Sequence, residues 1–231
     1  MLKLGAIEEI SEQELKMWGG AKHYVSLHPV INPDSSTTPF RLTKNSSLSD
    51  RNGLSLNSIL MKGHDSLSDQ WDILTKWRSY EIALCTDITK AYYSMKTGEV
   101  EKFVRMVVWR NGDTSQPWRT FGFLNVSFGD RPAASFLEIA IRRTTEMNQA
   151  IDPVAAARIC NDRYVDDVST GGTPDEVARF KGKENGETLQ FDGTIPSILS
   201  QGSFFLKVMV STGESDPLKI LKLGGKILGI N

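Results

Sequence analysis

The sequence predicts an α+β chain in which a buried strand and a tight hairpin bring acidic residues together on an antiparallel sheet backed by helices. Three observations carry this reading. Ile82 to Asp87 (IALCTD) is an unbroken apolar run closed by an acid, as expected of a strand buried on both faces that delivers a carboxylate at its tip. Tyr164-Val165-Asp166-Asp167 reads as a tight turn holding two adjacent acids between short strands. The helical segments show apolar residues at three- and four-residue spacing, several of them opened by capping residues.

In chain order, Ser11-Glu-Gln-Glu14 is a capping box that opens a short helix stopped by Gly19-Gly20. Residues 29 to 55, rich in Pro, Ser, Thr and Asn, read as extended chain and loops with one short strand near Phe40 to Lys44. Two serine-capped helices follow at about 55 to 62 and 68 to 78, the second with Trp71, Leu74 and Trp77 on one face. After the Ile82 to Asp87 strand, a helical pattern near 98 to 106 leads to strands at about 105 to 110 and 119 to 128. The clearest helix follows Gly129, with Pro132 in its first turn. Ala133, Phe136, Leu137, Ala140, Ile141 and Met147 form its apolar stripe, and Glu138, Arg142, Arg143 and Glu146 its polar face. Residues 157 to 164 and 167 to 170 read as two strands joined at Val165-Asp166. Thr173-Pro-Asp-Glu176 caps a helix ending near Gly182; a brief helix at 195 to 200 and strands at 204 to 210 and 226 to 230 complete the chain.

A chain of 231 residues, 39% apolar and 24% charged, with a mean hydropathy of -0.28, has room for one domain or two small ones and is not disordered. No apolar stretch approaches the roughly 18 to 20 residues of a membrane helix, and the start has no apolar signal core. An intracellular protein, cytoplasmic or nuclear, with no membrane partner is expected. Two cysteines and three histidines are too few and too scattered for a disulfide framework or a zinc finger, and Cys85 and Cys160 read as small core residues on strands. The 27 basic and 28 acidic residues give a net charge of -1, against the basic surplus usual in nucleic-acid binders. Cations bound to carboxylates would reverse that balance locally.

The acids carry the chemistry. Adjacent carboxylates at a turn repel each other and favour a bound cation, although a solvated turn with two acids is common. Asp87 supplies a third carboxylate, or else caps the helix after it. One acid from a strand and two from a neighbouring hairpin can hold two hard divalent ions about 3.5 to 4 Å apart, the arrangement used in phosphoryl transfer.

Six blocks in order, RLTKNSS (41 to 47), LCTDITKAYY (84 to 93), FGDRPAAS (128 to 135), YVDD (164 to 167), FFLKVMVSTGE (204 to 214) and GGKILG (224 to 229), resemble the reverse transcriptase segment of Pao/BEL-type LTR retrotransposon polyproteins. The resemblance runs from about residue 20 to the end. It implies a right-hand polymerase fold without a thumb. Residues 1–86 would be fingers with an N-terminal extension, 87–96 palm with the first catalytic acid, 97–128 a return to fingers, and 129–231 palm up to a truncated primer grip. The activity implied is RNA-directed DNA synthesis on an RNA or DNA template with a primer, using deoxynucleoside triphosphates and two Mg²⁺ ions, or Mn²⁺ in their place.

By the same resemblance Asp87, Asp166 and Asp167 are the catalytic acids and metal ligands, with the Ile88 carbonyl as a further metal oxygen. Tyr92 would close the sugar pocket against a 2'-hydroxyl, or be a core aromatic. Arg41 would grip the triphosphate, or be an ordinary surface arginine. Gly129 would permit close approach of the backbone to template or nucleotide, and Val165 would line the nucleotide site. Lys207 would protonate the departing pyrophosphate. Phe128 stands where the commoner retroviral pattern has glutamine, which bears on nucleotide selection. The thumb and RNase H sequence would come from downstream sequence, or an oligomer partner would supply the missing grip. The alternative is a catalytically silent relic that serves as a binding module.

Overall fold

The structure, a computed structural model, describes residues 5–33, 39–64, 66–185 and 190–213. In chain order these form β1 (Ile7–Ile10), α1 (Glu12–Met17), β2 (Ser26–Ile31), β3 (Phe40–Asn45), α2 (Leu56–Ile59), α3 (Gln70–Ser79), β4 (Ile82–Thr89), β5 (Met106–Trp109) and β6 (Arg119–Phe123). There follow α4 (Ala133–Met147), α5 (Pro153–Asn161), β7 (Arg163–Tyr164), β8 (Asp167–Gly172), α6 (Pro174–Lys181), β9 (Glu184–Asn185), β10 (Gln190–Phe191), α7 (Thr194–Ser200) and β11 (Phe205–Ser211). The expected strand at 226 to 230 and the GGKILG block lie outside the described residues.

The chain divides into two units, Met1–Gly63 with Met95–Ala133, and His64–Ser94 with Ala134–Asn231. The sequence reading put the first boundary at 86/87, inside β4. By its contacts the segment from residue 64 groups with the second unit, because β4 pairs with β8 and β11 and α3 packs on β4 and β8.

In the first unit β1, β6 and β5 form an antiparallel sheet and β2 pairs with β3. Val25, Leu56, Val107, Phe121 and Phe123 make one apolar cluster. Ile10, Phe103 and Met106 make another, with Trp18 stacked on Phe103 at 4.5 Å between ring centres. Ser11 accepts from the Glu14 amide and starts α1 as its sequence requires. Residues 99–104 form a tighter 3-10 helix rather than an α-helix.

The second unit is built on the antiparallel sheet β11-β4-β8-β7. Leu84 and Ile88 of β4 and Val168 of β8 are buried, each contributing about 1.5 to 3 kcal/mol through burial. Helices α3, α5, α6 and α7 pack on this sheet. Asp69, not Ser68, caps α3 by accepting from the Trp71 and Asp72 amides, and Trp71 is exposed while Ile73 and Leu74 are buried.

Residues 153–161 form a helix where a strand from 157 was expected, and only Arg163–Tyr164 extend. The local reason is strong. Asp152 caps the Val154 and Ala155 amides, Pro153 occupies the first turn, and three alanines follow. Cys160 is therefore on a helix and half-buried, while Cys85 is buried on β4. The stripe expected on α4 is also rotated: Phe136 and Met147 are exposed, whereas Glu138 is only 2% exposed.

Candidate active site

Asp87 stands opposite Asp167 in the antiparallel β4–β8 ladder. Directly opposed residues share a face with their Cβ atoms about 5 Å apart. Tyr164 pairs with Asp167 across β7 and β8, leaving Val165 and Asp166 as a two-residue loop. The Ile88 amide donates to the Asp166 carbonyl at 2.9 Å and fastens this loop to β4 beside Asp87. Tyr164 packs against Ile73 and Leu74 of α3, which anchors the other end of the hairpin.

Burial and crowding set the electrostatics of the three acids. Burial, then the charges of Asp166 and Asp87, push the Asp167 carboxyl up to about 7. Burial, then Asp166, push Asp87 up to about 6, with Lys207 opposing the rise. Burial also raises Asp166, against the opposing charge of Arg163. The acids are coupled and locally short of positive charge.

Among the described residues no three His, Cys, Asp or Glu side chains are gathered into a set ready to hold a metal ion. The donor chemistry nevertheless suits a hard divalent ion: carboxylates and a neighbouring main-chain carbonyl. Mutual repulsion keeps such carboxylates apart, and a divalent charge among them reverses the sign of that interaction.

This crowding predicts a pH effect in metal-free buffer. Asp87 and Asp167 both hold their protons to higher pH than an ordinary aspartate, so between about pH 4 and 7 the folded state binds more protons than the unfolded one. Stability therefore falls as pH rises through that window. Asp167→Asn should flatten the slope and raise the stability at pH 8 by on the order of 1 kcal/mol, after allowance for solvent screening. Urea unfolding at pH 5 and pH 8 measures it; an unchanged slope would show that the carboxyls are not coupled.

Tyr92 lies in the 3-10 turn Ala91–Ser94 after β4 and is buried. Burial, then the charges of Asp166 and Tyr164, push its hydroxyl up to about 12, which puts the ring within electrostatic reach of the hairpin. Lys207 is on β11 and acts on Asp87. Thus Asp87, Ile88, Tyr92, Val165, Asp166, Asp167 and Lys207 all belong to the second unit. Arg41 and Gly129 belong to the first, with Arg41 opposite Val30 on β3.

Gly129 has φ +93, and an added Cβ would come within 3.1 Å of the Lys44 carbonyl. Its own carbonyl accepts from Asn57 Nδ2 at 2.7 Å, while Asn57 Oδ1 accepts from the Arg131 amide at 2.8 Å. Beside it Asp130 is buried between Lys44 (2.8 Å), Arg105 (3.1 Å) and the Ser46 hydroxyl (2.6 Å). Burial raises the Asp130 carboxyl, but the two cations and the hydroxyl overcome this and hold it below the usual range. Sequence reading passed over this group, because the partners of Asp130 lie 25 to 86 residues from it along the chain. It likewise passed over Arg163, the residue before the Tyr-Val-Asp-Asp turn, for which an arginine next to an acidic hairpin is the only local signal.

No protein-family model matches the chain, and a search of curated proteins finds no match. Solved structures do match. A foamy viral protease-reverse transcriptase in complex with double-stranded DNA superposes with a TM-score of 0.58 at 12% identity, covering 89% of this chain and 28% of that one. The native prototype foamy virus protease-reverse transcriptase superposes with a TM-score of 0.56 at 12% identity, covering 89% of this chain and 21% of its own. The chain thus spans less than a third of the length of either neighbour. The likeness is one of fold, and by that measure this mixed chain of helices and antiparallel sheets has the polymerase-like fold of reverse transcriptases.

Proposed function

We propose that the chain is the core of an RNA-directed DNA polymerase, a nucleotidyltransferase that extends a primer on an RNA or DNA template inside the cell. The observation that supports this best is Asp87 set opposite Asp167, with Asp166 at the turn, on a sheet of a fold similar to reverse transcriptases. The ordered sequence blocks favour the Pao/BEL type, with residues 1–86 and 97–128 acting as fingers and residues 87–96 and 129–231 as palm.

Asp87 and Asp166, assisted by Asp167 and the Ile88 carbonyl, would hold two Mg²⁺ ions. When bound, these would activate the primer 3'-hydroxyl and stabilise charge on the reacting phosphate. The chain's own residues do the rest. Val165 would border the incoming nucleotide. Lys207, near Asp87, would deliver a proton to the departing pyrophosphate. Arg41 would grip the triphosphate, a guanidinium being suited to paired phosphate oxygens, and Gly129 would permit close approach of the backbone to template or nucleotide. Tyr92, buried in the turn after β4, would exclude a ribose 2'-hydroxyl.

The deciding experiment is primer extension on an RNA template with deoxynucleotides, with and without Mg²⁺. Extension that needs the metal is expected. A second reading, a folded but silent binding module, is favoured by the net charge of -1 and by the absence of a ready three-ligand set among the described residues. Template binding without extension would establish it.

Tyr92→Val should raise ribonucleotide use relative to deoxyribonucleotide use by roughly 10- to 200-fold, the range over which a pocket discriminates one small group. Competition between the two substrates in single-nucleotide extension reads the ratio. An unchanged ratio would reduce Tyr92 to a packing residue.

A further inference from the structure

The loop that carries Asp166 is strained. Val165 has φ +56 and Asp166 is not in the left-handed region, the sign pattern of a type II′ hairpin turn. Glycine favours that first position, and for a β-branched residue it is an outlier that persists only where surrounding structure enforces it.

The enforcing group is visible. Arg163 is 1% exposed, and its Nη1 donates to the Val165 carbonyl at 2.6 Å. Its Nη2 donates to Glu138 Oε2 of α4 at 2.5 Å, and the other oxygen of Glu138 accepts from Arg142 at 3.0 Å. The planar guanidinium thus spans from a buried helix carboxylate to the main chain of the turn. An ammonium could not reproduce that fork. Arg163 Nε is buried without a hydrogen-bond partner among the described residues, so this side chain is held at a cost that its packing alone does not explain.

We infer that Arg163, anchored by Glu138, is a positioning residue that holds the strained Val165 turn so that Asp166 is set against β4 beside Asp87. For its consequence in catalysis this rests on the polymerase reading; as a statement about the turn it does not. The Ile88 amide bond to the Asp166 carbonyl reports the position of the turn directly.

The test replaces the ion pair by apolar groups of similar size, Arg163→Met with Glu138→Leu, because removing both partners of a buried pair is tolerated far better than removing one. Arg163→Lys, which keeps the charge for Glu138 but not the fork, is the second variant should the double variant fail to fold. Amide hydrogen exchange of Ile88 is measured in the full chain against the Thr212 amide, which donates to the Ala83 carbonyl at 2.9 Å on the other edge of β4. Ile88 exchange should accelerate at least tenfold while Thr212 is unchanged. Equal protection of Ile88 in the variant and the parent would overturn the inference, whatever the activity.

Mn²⁺ binding followed by electron paramagnetic resonance, without nucleic acid, separates this from the functional reading. The folded variant should bind about tenfold more weakly than the parent, with Asp166→Asn as the reference for loss of the site. A parent whose Mn²⁺ binding is indifferent to Asp166→Asn would sink the polymerase reading while the exchange result still decides the role of Arg163. Retained Mn²⁺ affinity in a folded variant, where the parent's binding does depend on Asp166, would overturn the positioning role at the metal.

Discussion

Asp166→Asn is expected to abolish primer extension, by about 10³-fold or more, while the variant unfolds at a temperature no lower than the parent. The first effect follows from the proposed two-ion chemistry, where charge stabilisation worth several kcal/mol is lost with the ligand, each 1.36 kcal/mol being tenfold in rate. The second follows from the structure: Asp166 adds to the crowding that raises both Asp87 and Asp167, so a neutral amide there relieves repulsion. Single-turnover extension at saturating Mg²⁺ and a thermal melt of the same sample give both results. Activity within tenfold of the parent would remove Asp166 from the chemistry, and a much lower melting temperature would make the loss uninterpretable as a catalytic effect.

Asp130→Ala should be the most destabilising single change in the first unit, by about 3 to 5 kcal/mol, the cost of breaking a buried ion pair from one side. It leaves the Lys44 ammonium buried without its carboxylate, with the centre of the Phe123 ring 5.1 Å from it. Arg105 keeps Glu101 at 2.8 Å, and Ser46 loses its acceptor. Urea unfolding followed by tryptophan fluorescence measures the loss, which should appear in the transition of the unit that holds Trp18, Trp109 and Trp118. A change below about 1 kcal/mol would mean that water reaches the site. Because Gly129 precedes Asp130 and its added Cβ would meet the Lys44 carbonyl, the same variant should displace the Gly129 loop proposed to meet the nucleotide.

The starts of several helices were legible in the residues alone, since a cap is a local code: Ser11, Ser55 and Thr173 each accept from the amide three residues on. Strand β4 was legible because an apolar run closed by an acid has few other uses, and the turn at Val165-Asp166 because it separates two short extended segments. The Asp152 cap carried the same kind of code for α5, yet its apolar content was read as a strand; a three-residue alanine run after Asp-Pro-Val outweighs that content through backbone propensity.

By itself the sequence determined that Asp87 lies on a buried strand, which runs on to Thr89 rather than ending at the acid, and that Asp166 and Asp167 lie where two short extended segments meet, which is a matter of neighbours along the chain. Only the tertiary structure decided that Asp87 faces Asp167, that β1 pairs with β6 across more than a hundred residues, and that Glu138 turns inward. A carboxylate on an amphipathic helix belongs to the solvated face by periodicity. Burial becomes tolerable only when a distant guanidinium meets it, and that partner, Arg163, lies 25 residues away on another element. Pairings of this kind depend on which surfaces the fold brings together, and short-range spacing holds no record of them.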